Sequence, residues 1–200
     1  MNRRKFTILE STCVPLPLGN VDTDQIIPAR FLSATSREGF GKNLFRDWRY
    51  DKNGNEIKDF VLNRPEYGGS ILVAGSNFGC GSSREHAVWA IADYGFRAVV
   101  SDSFADIFRN NALNNGLLPV EIPSGMLSDL TEQIGANPGI ILKIDLERQI
   151  ISADETGMSV PFAINSFRKQ CLLNGLDNVG FLVNMRSRII EYEKSRGGPG

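Results

Sequence analysis

One stretch constrains the fold more than any other. Ser70-Ile71-Leu72-Val73-Ala74 runs directly into Gly75-Ser76-Asn77-Phe78-Gly79-Cys80-Gly81-Ser82-Ser83-Arg84-Glu85-His86, and apolar residues then recur at helical spacing through Ala87, Val88, Ala90, Ile91 and Ala92. A short apolar run bounded by glycine reads as a buried strand, and the periodic segment as a helix over about Ser83 to Tyr94 that Gly95 terminates. Ala98-Val99-Val100 then opens another strand, so the unit is strand, turn, helix, strand, the rhythm of an α/β fold.

The same rhythm continues downstream. Ser103 is expected to cap a helix over Phe104 to Asn115, followed by a strand over Leu117 to Ile122 and a helix from Ser124 to about Gly135. Beyond Asn137-Pro138-Gly139 the pattern turns to strands, over 140–146, 149–153 and 158–162, with helices over 165–173 and 184–194. Upstream, Phe6 to Val14 reads as one opening strand, and 33–67 as a long loop excursion rich in Gly, Asn, Asp, Arg and aromatics. One α/β domain over 1–195 is expected, with 196–200 as a flexible tail.

Composition narrows the function. The chain has 200 residues and is 42% hydrophobic, enough for a substantial core. Its 22 basic and 23 acidic residues provide neither a basic field for nucleic acid nor an acidic tail. No apolar run approaches a membrane span, and the N-terminus lacks a signal-peptide core, so a cytoplasmic protein is expected. Cys13, Cys80 and Cys171 are odd in number and widely separated, which fits a reducing compartment and supplies no close ligand pair for zinc or iron and sulfur.

The Gly75–Gly81 turn is the densest chemical candidate. Its glycines can expose backbone N–H groups at a helix amino end, where anions are favoured. An ordinary turn with Ser82 or Ser83 as helix cap is one reading; Arg84 beside two hydroxyls, suited to bidentate carboxylate recognition, argues for a binding site. The Lys-Ser/Thr ending of a phosphate loop is missing, which weakens a stand-alone nucleotide-binding module. Cys80 with His86 could form a nucleophile and base, although a lone pair of such residues is more often structural. Asp22 and Asp24 could hold a cation or simply shape a turn, and the four asparagines within 110–115 could be solvated surface or a polar wall to a site.

Gly79-Cys80-Gly81-Ser82-Ser83-Arg84-Glu85-His86-Ala87 resembles the G-x-G-S-S-R-E-H-A signature of the swivelling β/β/α domain of the aconitase superfamily. Ser103-Phe104-Ala105-Asp106-Ile107-Phe108 through Asn114-Asn115-Gly116-Leu117-Leu118-Pro119 is similar to that domain's next motif. Asn20 to Pro28, Gly39-Phe40-Gly41 and Asn174-Gly175-Leu176-Asp177 resemble the bacterial small subunits of 3-isopropylmalate dehydratase in particular.

The resemblance implies a single swivelling domain whose partner, a large subunit, carries a 4Fe-4S cluster, with no metal in this chain. It implies isomerisation of 2-isopropylmalate through isopropylmaleate in leucine biosynthesis, with citramalate or homoaconitate as related alternatives. By the same resemblance Ser82 is the catalytic base, Ser83 and Arg84 bind a substrate carboxylate, Arg37 is a second carboxylate binder, and Asp24 supports the site.

Overall fold

The computed structural model describes residues 4–32 and 39–184. In chain order the elements are β1 (Ile8–Ser11), β2 (Cys13–Leu16), α1 (Thr23–Ile26), α2 (Arg46–Arg49), β3 (Ile71–Ala74), α3 (Glu85–Tyr94), β4 (Ala98–Ser101), α4 (Asp106–Asn114), β5 (Leu118–Glu121), α5 (Ser124–Ala136), β6 (Leu142–Asp145), β7 (Ile150–Ala153), β8 (Met158–Pro161), α6 (Ser166–Asn174) and α7 (Asn178–Asn184). Arg37, the tail 196–200 and all but the first residue of the helix expected over 184–194 lie outside the described residues.

Two four-stranded sheets organise these elements: a parallel sheet ordered β2-β3-β4-β5 and an antiparallel sheet ordered β1-β6-β7-β8. Because side chains alternate along a strand, the parallel sheet feeds two cores. Ile71, Val73, Ala98, Val100, Leu118 and Val120 face the antiparallel sheet and pack with Leu142, Ile144, Ile151 and α5. Leu72, Ala74 and Val99 face the other way, onto Ala87, Val88 and Ile91 of α3 and Phe108 and Ala112 of α4. The layers are therefore sheet, sheet and helices. The doubly covered sheet explains the unbroken apolar runs of β3 and β4. Pro15, Pro119 and Pro161 all fall on strands at sheet edges, where a missing N–H costs least.

Three expectations need correction. The single opening strand is two, and the chain changes sheets at Thr12. Leu9 pairs antiparallel with Ile144, whereas Val14 pairs parallel with Leu72. The described part of the 33–67 excursion is largely folded, and Phe40, Leu44 and Phe45 are buried against α1 and α3. Its apolar residues are spaced by short helical turns rather than one regular period, which is why the segment reads as loop. Ser103 does not cap α4, which begins at Asp106 with Ala105 at its cap position; the Ser103 hydroxyl donates to Asp102 Oδ1 at 2.9 Å. A described helix that the pattern did not reveal, α7, follows α6 after the left-handed Gly175.

Candidate active site

The site lies beyond the carboxyl ends of β2, β3 and β4, where ligands of open parallel sheets collect. The turn leaving β3 is held from two sides. On one, Gly79 N–H donates to the Val21 carbonyl at 2.8 Å, Thr23 N–H to the Cys80 carbonyl at 3.0 Å, and the Thr23 hydroxyl to the Ser82 carbonyl at 2.8 Å. On the other, Phe78 N–H donates to Ser103 O and Ala105 N–H to Phe78 O, both at 3.1 Å. Behind it the buried Ser101 hydroxyl donates to Gly75 O at 2.8 Å.

Glycine is required where the clamps converge. Gly79 has φ +77°, and a Cβ there would stand 2.2 Å from Phe108 Cγ. Gly81 has φ +84° and is far less crowded, its nearest neighbour being Asp22 Cβ at 3.3 Å, a contact that a shift of a few tenths of an ångström relieves. Left-handed backbone is costly for any residue with a Cβ, and at Gly79 close approach to α4 adds to that cost.

These constraints place Ser82, Ser83 and Arg84 on a cleft of about 270 Å³, together with Thr23, Ala105, Asp106, Ile107, Phe108 and Asn111. Two helices present amino ends to it. Arg84 is the cap residue of α3 and Ala105 that of α4, and neither helix end has a side-chain cap. The expected capping by Ser82 or Ser83 is thus not found. Among the described residues neither hydroxyl has a hydrogen-bond partner, so both are available to a ligand, as are the first amides of the two helices. Arg84 Nη1 is paired with Asp24, and the Arg84 side chain is 20% exposed against 52% for Asp24. An ion pair this open to water contributes little stability, and its effect is to aim the guanidinium. The arrangement favours a small anion at two helix ends, with a forked cation and two hydroxyls in reach.

Of the expected site residues, the structure brings Asp24, Ser82, Ser83 and Arg84 together; Arg37 lies outside the described residues. Asp22 serves as the cap of α1, accepting from Gln25 N–H at 2.8 Å, which is the turn reading of that acid pair. His86 packs against Phe40 and Trp89, with ring centroids 5.5 and 4.6 Å away, and among the described residues it makes no hydrogen bond to Cys80. Of the asparagines, Asn111 lines the cleft, while Asn115 accepts from Trp89 Nε1 at 3.1 Å and donates to Glu85 Oε1 at 2.8 Å, tying α4 to α3. Thr23 is not singled out by sequence reasoning, whereas Asn111 is one of the asparagines read as a polar wall or solvated surface, and it falls on the wall. For Thr23 the signal is its place between Asp22 and Asp24.

The residues do not fit a metal cluster. Among those described no three His, Cys, Asp or Glu side chains gather, and Cys13 and Cys171 are buried. Burial pushes the Cys13 thiol up to about 12, so it stays protonated. A larger cavity of about 620 Å³ between α4 and α6 is lined by Arg109, Glu121 and Arg168, but it holds neither Ser82 nor Arg84, and Arg109 is already paired with Glu121. The 270 Å³ cleft is also small for a nucleotide, since pockets for drug-sized ligands run from ~300 to 1,000 Å³.

A sheet-on-sheet core with a glycine-clamped Ser-Ser-Arg turn between two helix amino ends defines a domain of the aconitase C-terminal type, and residues 3–125 match the family described as the aconitase C-terminal domain. The 3-isopropylmalate dehydratase small subunit of Azobacteroides pseudotrichonymphae is 58% identical over 192 residues, spanning 96% of this chain and 98% of its own. That of Christiangramia forsetii is 58% identical over 194 residues, spanning 97% and 95%. The crystal structure of the 3-isopropylmalate dehydratase of Methanocaldococcus jannaschii superposes with a TM-score of 0.67 at 31% identity, covering 94% of this chain and 99% of that one. The chain belongs to the family of 3-isopropylmalate dehydratase small subunits.

Proposed function

We propose that this chain is the small subunit of a cytoplasmic 3-isopropylmalate dehydratase and contributes half of an active site completed by a large subunit. The observation that carries the reading is the convergence of Ser82, Ser83 and Arg84 on one anion-favouring cleft, in a chain of this family. The substrate is 2-isopropylmalate, a dicarboxylate that loses water to isopropylmaleate and regains it with the hydroxyl on the neighbouring carbon.

Arg84 and Ser83 hold a substrate carboxylate, the guanidinium by a forked contact and the hydroxyl by donation. Ser82 takes the C3 proton. For that its oxygen must be an alkoxide, which two uncapped helix ends and Arg84 favour over bulk water. On rehydration the same oxygen returns a proton, now to C2. Asp24 keeps Arg84 aimed, and Arg37 is the second carboxylate binder. Lewis acidity for the departing hydroxyl is what a 4Fe-4S cluster on the large subunit supplies.

Reconstitution with a cluster-bearing large subunit tests the reading, and the complex should convert 2-isopropylmalate in preference to citramalate or homoaconitate. Ser82→Ala should lower kcat by about 10²- to 10⁴-fold, the range for loss of a general base. Full turnover by that variant would remove Ser82 from the role of base, and binding of nucleotide by the isolated chain without association with a large subunit would overturn the assignment as a whole.

A further inference from the structure

We propose that Thr23 is the positioning residue that fixes Ser82 for proton transfer, an inference that rests on the reading of Ser82 as the base. Thr23 is 2% exposed, and a buried hydroxyl needs a partner. As the first residue of α1 it follows directly on the Asp22 cap, so the hydroxyl reaches across the chain instead and donates to the Ser82 carbonyl at 2.8 Å. Its N–H donates to the Cys80 carbonyl at 3.0 Å. Two alternate carbonyls of the catalytic turn therefore end on one residue.

The peptide unit is planar and trans, so fixing the Ser82 carbonyl fixes the Ser83 N–H in the opposite direction and restricts the Ser82 backbone from which its Oγ projects. The next residue of α1, Asp24, holds Arg84. α1 itself is anchored by the reciprocal Asp22–Gln25 capping box and by Ile26 and Ile27, each 0% exposed. One turn of helix thus sets the distance between the base and the carboxylate-binding guanidinium. The cleft does not require this bond for its shape, because Ser82 is exposed and water can replace the hydroxyl at its carbonyl. Loss of the bond should blur the geometry without removing the site.

The test uses the reconstituted complex with Thr23→Val, which keeps the shape and deletes the hydroxyl, and Thr23→Ser, which restores it. Misplacement by about an ångström costs up to ~100-fold in rate, so Thr23→Val should lower kcat by roughly 10- to 100-fold with KM within about twofold, and Thr23→Ser should recover most of it. An unchanged kcat, a KM that rises as much as kcat falls, or failure of Thr23→Ser to rescue would overturn the proposal. If the wild-type complex turns over no hydroxydicarboxylate, it is the proposed function that fails. Amide exchange in the isolated chain then decides on Thr23: a lower protection factor at the residue-23 amide, which donates to the Cys80 carbonyl, in Thr23→Val supports the clamp, and an unchanged one removes it.

Discussion

Replacing Gly79 by alanine separates the two demands that the Gly79–Arg84 turn makes on its backbone. At Gly79 the new methyl meets left-handed backbone and the Phe108 ring, with Cγ at 2.2 Å and Cδ2 at 2.4 Å. At Gly81 it meets similar backbone but only mild crowding, with Asp22 Cβ at 3.3 Å and Thr23 Oγ1 at 3.9 Å. Left-handed strain costs about 1–2 kcal/mol and overpacking about 1–3 kcal/mol more. Gly81→Ala should therefore lose roughly 1–2 kcal/mol and Gly79→Ala roughly 2–5 kcal/mol. A chain of this size shifts its melting temperature by about 2–4 °C per kcal/mol, giving drops of roughly 2–8 °C and 4–20 °C. Gly135→Ala is the control: it lies within α5, a Cβ there meets nothing within 4 Å, and removal of helix glycine should raise Tm by about 1–4 °C. Thermal unfolding by far-ultraviolet circular dichroism reads all three. Equal losses for Gly79→Ala and Gly81→Ala would refute the claim that contact with α4 sets the position of the turn.

Two further perturbations probe charge. Asp24→Asn should cost less than about 1 kcal/mol of stability, because the pair is exposed, yet raise KM by roughly 2- to 12-fold as Arg84 loses its aim; steady-state kinetics with an unchanged KM would refute that role. Cys13 has its pKa raised from 9.0 to about 12 by burial, so the unfolded chain ionises first as pH rises. The stability from the protonated thiol is complete below pH 9 and is lost progressively between 9 and 12, at about 1.4 kcal/mol per pH unit at the steepest. Urea midpoints from pH 8 to 10.5 should fall more steeply for wild type than for Cys13→Ala, and parallel slopes would exclude the thiol as the cause.

The Gly79–Arg84 turn is legible in the sequence because glycine, serine and arginine carry chemistry in their identities. A strand, a run of glycines and a periodic helix leave few alternatives for Ile71 to Tyr94. The opening segment reads as one strand because its residues do not say which neighbour they pair with. Only the polar Ser11-Thr12 break hints at the crossing, where the Ser11 hydroxyl accepts from Ser70 N–H at 2.8 Å and the Thr12 hydroxyl donates to Gly68 O at 3.1 Å. Phe40, Leu44 and Phe45 were hidden by irregular spacing, since a period of neither two nor 3.6 leaves no pattern to count. Ser103 looks like a helix cap from sequence, but its hydroxyl is bound to Asp102 and accepts from Asn77 N–H. Thr23 escaped notice because a four-residue helix gives no periodicity from which burial can be inferred.

The change of sheets at Thr12 also bears on how the chain is made. β1 is made well before its only strand partner among the described residues, β6 at Leu142–Asp145, and Phe6 N–H waits for the Leu172 carbonyl. Until β6 follows, β1 has no described strand to pair with and is an open edge available to other chains. The parallel sheet can gather once β5 is made, so the Ser-Ser-Arg turn can form on a nascent chain whose antiparallel layer is still missing. Release of β1 by truncation would leave the turn's own clamps in place while opening the second sheet to aggregation.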